Sequence, residues 1–574
     1  MPLFLAALAT VSGFAQAPTS PSLIESGRSS DRPFPPLELV RTIDGSDNHE
    51  TDAARGAAFE PFARYASVAY ADGVTTPAGS ERPSPRAISN AVCRQTRDTA
   101  NAQGVSDLFW QWGQFLDHDI TETPVGDPAE AFPVPVPSGD RAFDPKGTGV
   151  VVIPLSRSFP VRDGGRREQI NALTAWIDGS QVYGSDLERA KALRALDGTG
   201  RLKTSPGDLL PYNVDGLHNA PSDHLPRFFL AGDVRANEQV GLTAMHVVFV
   251  REHNLWADRI RKADLEWFER SGLAVGTRGD GGRGGGRTLS RGALAQRSAK
   301  PLTGDEIYEL ARAIVSAELQ VITYREWLPL LLGPGALPAE SVYRPDLDAT
   351  ISNEFATAAF RLGHSMLSSE LLRLDARGQP IDRGHISLAD AFFAPQEVVA
   401  TGVDPILRGL ASQRAQELDV MVVEDVRSFL FGPPGAGGLD LPSLNLQRGR
   451  DHGLPSFAQT RRDLGLGAPA TLEEISSDAD VVARLKAVAS TPEDLDLWIG
   501  GLAEDHLPGA LVGETFHAIL TRQFEALRDG DRLWYSRQLP TRLRRAVEGV
   551  SLAQVLRRTT GLGDELADRP FLAR

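Results

Sequence analysis

The pattern of apolar and polar positions along the chain predicts a mainly helical protein. Apolar residues recur at three- and four-residue intervals, with few internal breakers, in segments 242–260, 305–324, 354–367 and 413–431. Such spacing places apolar side chains on one face of a helix. Segment 110–123 is also predicted to be helical. We therefore expect a mainly α fold: one large helical domain with long irregular connections and little β structure.

One face of the predicted helix 110–123 gathers three different polar groups. Gln114, Asp117 and His118 are separated by three and four residues, so an amide, a carboxylate and an imidazole share the face that begins at Trp110. Asp119 is rotated by about 100° from His118 and points to another side of the helix. The pattern fits a catalytic histidine, and it fits equally well a structural histidine held by a nearby carboxylate.

Three other segments concentrate polar residues. Arg235 and Glu238 are three residues apart, which fits either a catalytic cation beside a carboxylate or a surface ion pair. His364 follows Gly363, a residue that lets a flat or bulky group approach the backbone, although a buried structural histidine is the simpler interpretation. Segment 441–453 is so polar that it is either a fully paired network or a solvated loop.

A set of oxygen-bearing side chains suggests a calcium site. Thr174, Asp178 and Ser180 lie close together in sequence, and Asp119 points away from the face that carries His118. Two carboxylates, two hydroxyls and backbone carbonyls are hard oxygen ligands of the kind that calcium prefers. The spacing does not match an EF-hand, so this chemistry alone only suggests calcium.

Proline- and glycine-rich stretches indicate where the chain divides into an arm, a body and a surface loop. Residues 18–95 are weakly periodic and predict an extended N-terminal arm that packs on the body, residues 96–565. Residues 566–574 form a tail. Segment 275–300 is rich in glycine and arginine and predicts a flexible surface loop. Its Gly-x-Gly-x-x-Gly pattern lacks the preceding strand and following helix that a dinucleotide site requires.

Composition narrows the possible functions. The chain has 574 residues, 41% hydrophobic and 24% charged, enough for a large core. A formal net charge of −15 argues against a nucleic-acid partner. The single cysteine, Cys93, excludes an intrachain disulfide framework and a cysteine-rich zinc site. The sequence contains neither a His-Glu-x-x-His motif nor a Gly-x-Ser-x-Gly motif.

The first 17 residues form an apolar run that ends in an Ala-x-Ala pattern, as in a secretory signal peptide. No Lys or Arg precedes the apolar run, and Pro18 follows the predicted cleavage point. We expect a secreted or periplasmic protein, with a cytoplasmic location as the alternative. No later segment reaches the roughly 18 uninterrupted apolar residues of a membrane span. The sequence indicates no particular oligomeric state.

Five motifs in order along the chain resemble the animal-type haem peroxidase superfamily, which includes bacterial members, peroxidasins and the mammalian halide peroxidases. They are Trp112-Gly-Gln114-Phe-Leu-Asp117-His118-Asp119, Ala231-Gly-Asp-Val-Arg235, Arg251-Glu-His-Asn254, Phe360-Arg361-Leu-Gly-His364 and Leu444-Asn445-Leu-Gln-Arg448-Gly-Arg-Asp-His-Gly453. The resemblance spans residues 41–561, so part of the arm is included. It implies that residues 96–565 are the haem peroxidase catalytic domain.

The resemblance implies the catalytic roles. His118 would be the distal histidine, which moves a proton of hydrogen peroxide as general base and then acid. Arg235 would stabilise developing negative charge, and Gln114 would border the halide and water site. On the other side of haem b, His364 would bind the iron and Asn445 would orient its ring.

Further matching residues would hold the haem and a calcium ion. Asp117 and Glu238 occupy positions whose carboxylates can become ester-linked to haem in this family. Arg361 and Arg448 would face the haem propionates or the proximal pocket. The implied calcium ligands are Asp119, Thr174, the backbone carbonyl of Trp176, Asp178 and Ser180.

The expected activity is oxidation of halides, thiocyanate or small aromatic donors by hydrogen peroxide. The alternative is a haem-dependent fatty-acid dioxygenase of the cyclooxygenase-like branch, which has a tyrosine three residues before the proximal histidine, where this chain has Arg361. A haem-free structural protein is disfavoured because both histidines are present. Two departures concern donor choice: Gln239 replaces the haem-linked methionine of the chlorinating mammalian enzyme, and Thr121 replaces an acidic residue.

Overall fold

A computed structural model of the chain describes residue 34 and residues 37–270, 301–340 and 342–573, with side chains omitted for 267–270. The predicted signal peptide, the start of the arm and the glycine- and arginine-rich segment 275–300 lie outside the described residues. Within them the chain is mainly helical, as the periodicity predicts. None of the described helices is long and apolar enough to cross a membrane.

The α-helices, numbered in chain order, are α1 (Pro85–Ala91), α2 (Asp107–Ile120), α3 (Ser180–Tyr183), α4 (Leu187–Leu193), α5 (Val240–Arg270), α6 (Gly304–Ile322), α7 (Leu328–Leu332), α8 (Asn353–Thr357), α9 (Leu388–Ala391), α10 (Pro395–Thr401), α11 (Asp404–Ser412), α12 (Glu424–Arg427), α13 (Leu441–Asp451), α14 (Phe457–Asp463), α15 (Ala479–Lys486), α16 (Leu497–Ala503), α17 (Glu514–Asp529), α18 (Tyr535–Gln538), α19 (Thr541–Val547) and α20 (Leu552–Thr559). A π-helix (Thr323–Trp327) follows α6, and 3₁₀ helices cover Ala359–Ser365, Leu472–Glu474 and Pro492–Asp494.

The described strands are short, from two to six residues each. They are β1 (Glu60–Pro61), β2 (Val134–Pro135), β3 (Val152–Ile153), β4 (Pro160–Asp163), β5 (Arg166–Asn171), β6 (Glu370–Leu371) and β7 (Ile386–Ser387). All pairs are antiparallel: β1-β5-β4 form one sheet, while β2-β3 and β6-β7 form two-stranded pairs. Glu60 lies opposite Asn171, which attaches the arm to the body.

Of the five predicted helical segments, three are present and two are wrong. Segment 110–123 is helical as far as Ile120, within α2. Segment 242–260 lies within α5, and segment 305–324 corresponds to α6 and its π-helical end. Segment 354–367 is not continuous, because Ala358 (φ −130°, ψ −70°) separates α8 from a 3₁₀ helix. Segment 413–431 is mostly irregular: it contains the short helix α12 and isolated bridges to residues before α2, including Ser106 with Arg414. These distant partners override the local periodicity.

Helix α2 runs through the middle of the main core. Its apolar residues Phe109, Trp112 and Phe115 are fully buried and follow the three-residue spacing of one helix face. At Gly113 a β-carbon would lie 3.2 Å from the ring of Trp327, so the glycine permits a close approach. Packing on several sides therefore fixes the rotation of α2 and the direction of its polar face.

The described part of the arm inserts charged side chains into the body. Arg41 pairs with Asp531 in a buried contact. In α1, the guanidinium of Arg86 donates to Asp140 at 2.7 Å and to Asp440 at 2.8 Å, and all three side chains are buried. Moving α1 away from the body would leave these buried charges unpaired, which is strongly destabilising. The boundary between arm and catalytic body at residue 95 stays a prediction.

Candidate active site

Helix α2 and the loop before α5 bring together the polar residues that the sequence places apart. The guanidinium of Arg235 donates to the carboxylate of Asp233 through Nε (2.9 Å) and Nη2 (2.7 Å). Its Nη1 is 3.5 Å from Asp117 Oδ2, and Nη2 also donates to the carbonyl oxygen of Thr121 at 2.8 Å. On α2, His118 Nδ1 lies 3.3 Å from Asp233 Oδ1. We call Gln114, Asp117, His118, Asp233, Arg235 and Glu238 the distal cluster.

The charges in the distal cluster favour a neutral histidine beside a permanent cation. Burial, reinforced by the charge of Arg235, lowers the pKa of His118 well below its usual value. Burial alone would lower the pKa of Arg235, but Asp233 outweighs that effect and raises it. At neutral pH the imidazole can accept a proton, and the guanidinium is available to stabilise negative charge.

The two carboxylates that flank Arg235 are costly to ionise. Burial raises the pKa of Glu238 to about 7, although the charge of Arg235 opposes the shift. Burial also raises the pKa of Asp117, against Arg235 and a hydrogen bond from Thr121. That bond, from Thr121 Oγ1 to Asp117 Oδ1, is 2.5 Å long. Thr121 therefore contacts the site directly, a role that the sequence identified only as a departure from the family pattern.

Three glutamine side chains form an amide cluster beside Glu238. Gln114 Nε2 lies 3.3 Å from Glu238 Oε1 and donates to it. The amide oxygen of Gln114 accepts from Gln111 (3.2 Å) and Gln239 (3.1 Å). The oxygen of Gln239 accepts from the backbone N–H of Gly241 at 2.6 Å. Gln239 thus orients Gln114, and neither this role nor that of Gln111 was predicted.

The 3₁₀ helix Ala359–Ser365 carries the predicted iron ligand. His364 Nδ1 is 2.8 Å from the Nδ2 atom of Asn445, which belongs to α13. Burial, with the charge of Arg361, lowers the pKa of His364 to about 3, so its ring is neutral and able to bind a metal. We call His364 and Asn445 the proximal pair. The solvated-loop interpretation of segment 441–453 is wrong, because α13 is largely buried.

Arg361 and Arg448 lie on the same side as the proximal pair. Arg361 donates to the carbonyl oxygen of Ala356 and to Asn445 Oδ1, both at 3.0 Å. Burial lowers the pKa of Arg361 to about 10, although the charge of Asp117 opposes the shift, and Arg361 has no carboxylate within ion-pair distance among the described residues. Arg448 is already engaged, since its Nη1 donates to Asp451 at 3.0 Å and to Ser158 Oγ at 2.7 Å. Arg361 is therefore better placed than Arg448 to receive an added carboxylate.

The 3₁₀ helix that carries His364 packs against α2, which carries the histidine of the distal cluster. The residues that remain partly exposed inside this otherwise buried region are Gln114, Asp117, Arg235, Glu238, Arg361 and His364. The two elements approach closely at Gly363, where an added β-carbon would be 3.9 Å from Trp110 Cβ. These partly exposed polar side chains could hold a bound group that carries carboxylates.

The predicted calcium ligands converge behind His118. Asp119 and Asp178 are fully buried, and their carboxylates both accept from the backbone N–H of Ser180, at 2.5 and 3.1 Å. Thr174 Oγ1 lies 3.4 Å from the carbonyl oxygen of Trp176. Burial and the neighbouring Asp178 raise the pKa of Asp119 well above its usual value. Two buried carboxylates this close need a compensating cation or proton.

The oxygen atoms around Asp178 would suit a hard cation better than a transition metal. Its Oδ2 atom is buried without a hydrogen-bond partner, and Arg312 Nη2 is 3.9 Å away. Across the described ranges, no three His, Cys, Asp or Glu side chains form a metal-binding group. A cation here would therefore rely on two carboxylates together with hydroxyl and carbonyl oxygens, all of them hard ligands.

Gly232 joins the distal loop to the predicted calcium loop. A β-carbon at this position would lie 2.2 Å from the carbonyl oxygen of Ser180 and 2.6 Å from the backbone nitrogen of Gly184. Gly232→Ala should therefore destabilise the protein by about 1–3 kcal/mol, the usual cost of overpacking, and lower Tm in thermal unfolding. Gly467→Ala is the matched control, because no atom lies within 4 Å of its added β-carbon. Equal Tm values for the two variants would contradict the expected clash.

Comparison with known proteins decides the family. A sequence profile described as animal haem peroxidase matches residues 40–571. The chain belongs to the animal haem peroxidase family. The peroxidase is 33% identical to peroxinectin A of Dictyostelium discoideum over 539 residues, which cover 91% of this chain and 93% of the relative. It is 34% identical to myeloperoxidase of Mus musculus over 587 residues, covering 92% and 76% of the two chains.

Solved structures agree with this assignment. Peroxidase A from Dictyostelium discoideum superposes on the peroxidase with a TM-score of 0.78 and 31% identity, covering 92% of this chain and 98% of the other. The fatty acid alpha-dioxygenase of Oryza sativa gives a TM-score of 0.72 at 20% identity, with 92% and 85% coverage. The second likeness shows the fold alone. The predicted family, fold class and haem peroxidase activity are therefore confirmed, with hydrogen peroxide and a donor as substrates.

The individual site assignments remain predictions, although the fold brings their residues together. The six distal residues include one, Asp233, to which the sequence assigned no role. It lies within the Ala231-Gly-Asp-Val-Arg235 motif, two residues before the cation, and this position was the available signal. The contact to His118 could not be inferred, because the two residues are 115 positions apart in the sequence.

Proposed function

We propose that this haem peroxidase binds haem b between the distal cluster and the proximal pair and uses hydrogen peroxide to oxidise small anionic or aromatic donors. The observation that supports this proposal is a pair of buried, neutral histidines, His118 on α2 and His364 on the 3₁₀ helix that packs against α2. Arg361, a cation without a carboxylate contact in the described chain, fits a haem propionate.

The proximal pair would hold and orient the cofactor. His364 Nε2 is the ring nitrogen available for iron, because Nδ1 faces Asn445 at 2.8 Å. A histidine that binds metal through Nε2 carries a proton on Nδ1, which requires an acceptor. We propose that Arg361 turns to a propionate and that the amide of Asn445 rotates, so that its oxygen accepts from Nδ1. When bound, haem supplies the iron redox chemistry of the reaction.

The distal residues would carry the proton and the charge. His118 accepts one proton of hydrogen peroxide and returns it to the departing oxygen, which leaves as water. Arg235 stabilises the negative charge that develops as the oxygen–oxygen bond breaks. The amide oxygen of Gln114 accepts from Gln111 and Gln239 while its Nε2 donates to Glu238, and we propose that Gln114 borders the side on which a small donor or water would lie. We propose that this side admits bromide, iodide, thiocyanate or phenols.

Donor choice is tested by a panel of reactions with the purified holoenzyme. We expect hydrogen peroxide to be consumed with bromide, iodide, thiocyanate or phenols as donors, with little turnover of chloride because Gln239 lacks the thioether of methionine. Fatty-acid-dependent oxygen uptake, without peroxide-dependent oxidation of any of these donors, would favour the dioxygenase alternative. Arg361, which stands where the dioxygenases of the cyclooxygenase-like branch carry tyrosine, supports the first outcome.

Asp117 and Glu238 are proposed to form ester bonds with haem. Both carboxylates are partly exposed, and the raised pKa of Glu238, about 7, keeps part of its carboxyl group neutral. Acidified organic solvent should leave haem attached to the wild type and extract all of it from the double variant Asp117→Asn, Glu238→Gln. Absorbance at the Soret band of the protein fraction measures the retained haem. Complete extraction from the wild type would exclude the esters.

Calcium is proposed to bind Asp119, Asp178 and the neighbouring oxygens. Because Asp119 follows His118, the ion would also fix the end of α2. A chelator should lower Tm by roughly 3–10 °C, the scale expected when a tight ligand is removed, and added calcium should restore it. Asp178→Asn should remove the response, whereas Asp98→Asn, at an exposed position, should keep it. Identical melting curves with and without chelator would argue against the site.

Export also remains a proposal. The apolar run and Ala-x-Ala pattern of the first 17 residues predict transport out of the cytoplasm. Expression of the full chain, followed by fractionation and N-terminal sequencing, tests it. A chain that begins at Pro18 in the periplasm or medium supports export, and an uncleaved cytoplasmic chain contradicts it.

A further inference from the structure

Asp233 contacts both the cation and the imidazole of the distal cluster. Its carboxylate accepts from Arg235 Nε at 2.9 Å and from Nη2 at 2.7 Å, and Oδ1 also accepts the backbone N–H of Arg235 at 2.7 Å. The backbone N–H of Asp233 donates to the carbonyl oxygen of Gln181 at 3.1 Å. The residue is 1% exposed. Its position is therefore fixed by contacts at both the backbone and the side chain.

The same carboxylate oxygen faces His118. The distance from Asp233 Oδ1 to His118 Nδ1 is 3.3 Å, slightly longer than a typical N–H···O hydrogen bond and within ion-pair range. His118 Nδ1 is buried and makes no hydrogen bond to any described residue, and Asp233 Oδ1 is the acceptor recorded within ion-pair range of it. Burial alone would raise the pKa of Asp233, but the charge of Arg235 and its hydrogen bonds to the carboxylate lower it below its usual range. An ionised carboxylate can only accept, so the nitrogen that faces it must carry the proton.

We propose that Asp233 is a positioning residue that holds His118 in the tautomer protonated at Nδ1. This tautomer leaves the Nε2 lone pair free to accept a proton of hydrogen peroxide. The inference rests on the proposed role of His118 as the base. After that transfer the ring is an imidazolium, and Asp233 stabilises its charge until the proton passes to the departing oxygen. A single carboxylate thereby sets the position of the base relative to the cation.

The competing explanation is that Asp233 only anchors Arg235 or the loop. A double-mutant cycle separates the two, because a residue that acts through His118 has no further effect once His118 is absent. The variants are Asp233→Asn, His118→Ala, the double variant, and Asp233→Glu as the conservative replacement. Asparagine keeps the shape of the side chain, but its amide can donate to Nδ1 and so stabilise the wrong tautomer.

The measurement is the rate constant of the Soret change after each holoenzyme is mixed with hydrogen peroxide in a stopped-flow spectrometer without donor. We expect Asp233→Asn to slow this step by about 100-fold or more, the range of proton-transfer catalysis. Haem content should be retained, and Asp233→Glu should recover part of the rate. In the His118→Ala background, Asp233→Asn should change the rate by less than about threefold.

Three results would overturn the proposal, and each has a different consequence for the proposed function. A wild-type rate for Asp233→Asn beside a slow His118→Ala would exclude the positioning role and leave the proposed function intact. An equal loss from Asp233→Asn with and without His118 would assign Asp233 to Arg235 or to the fold. A wild-type rate for His118→Ala would remove the base assignment itself, and the positioning role with it.

Discussion

The variant His364→Ala should lose its peroxidase activity. His364 lies on the 3₁₀ helix that packs against α2, its buried ring is neutral, and we propose that it binds the iron. Loss of a hydrogen-bond partner of a metal ligand already costs 10–100-fold in affinity or activity, so loss of the ligand should cost more than about 100-fold. The Soret band should weaken, or shift if ester bonds retain the haem.

The matched control for this variant is His224→Ala, which removes an exposed histidine that belongs to neither the distal cluster nor the proximal pair. Its Soret band, haem content and activity should equal those of the wild type. Both variants are measured after reconstitution with excess haem, so that poor incorporation in the expression host does not affect the comparison. A wild-type spectrum and activity in His364→Ala would exclude His364 as the iron ligand.

The variant His118→Ala should keep haem and lose most of its reaction with hydrogen peroxide. The pKa of His118 is lowered by burial and by Arg235, so the imidazole is a neutral base at the pH of the assay. General acid–base catalysis by a positioned side chain contributes about 10²–10⁴-fold, which is the loss we expect in the second-order rate constant. The Soret absorbance should stay close to that of the wild type, because the proximal pair is unchanged.

Stopped-flow mixing with hydrogen peroxide measures this rate constant directly. His224→Ala again serves as the control for removal of a histidine outside the site. Oxidation of the donor, once the enzyme has reacted with peroxide, should be affected much less than the peroxide step. An unchanged rate constant in His118→Ala would show that proton transfer depends on another group.

The distal face of α2 was predictable because helical geometry is local. The positions of Gln114, Asp117 and His118 follow from their three- and four-residue spacing, and packing of the apolar face fixes the rotation of the helix. The direction of Asp119, away from His118 and towards Ser180, followed from the same geometry. Periodicity also predicted the mainly helical class, since α5 and α6 account for much of the core.

The surroundings of His364 were less predictable, because they depend on contacts with distant parts of the chain. Segment 354–367 has the apolar pattern of a helix, but the backbone turns at Ala358 and continues as a 3₁₀ helix. Asn445 reaches His364 only through the packing of α13, 81 residues further along the chain. The motif resemblance supplied that pairing, which the apolar pattern could not.

Neither the apolar pattern nor the family resemblance predicted the contacts that Asp233 and Gln239 make with α2. Both lie in the loop before or at the start of α5, and their function depends on contacts with α2, more than 100 residues away. Hydrogen-bond partners over such separations depend on how the loop is folded against the helix. The sequence could therefore identify the cation and the base, but not the carboxylate that contacts both.

The account depends most on the position of haem between two histidines, and a crystal structure of the holoenzyme tests this directly. We predict that His364 Nε2 binds the iron and that His118, Arg235 and Gln114 lie on the opposite face of the haem. The Arg361 guanidinium should contact a propionate. A haem bound elsewhere, or an iron whose protein ligand is a residue other than His364, would contradict the account.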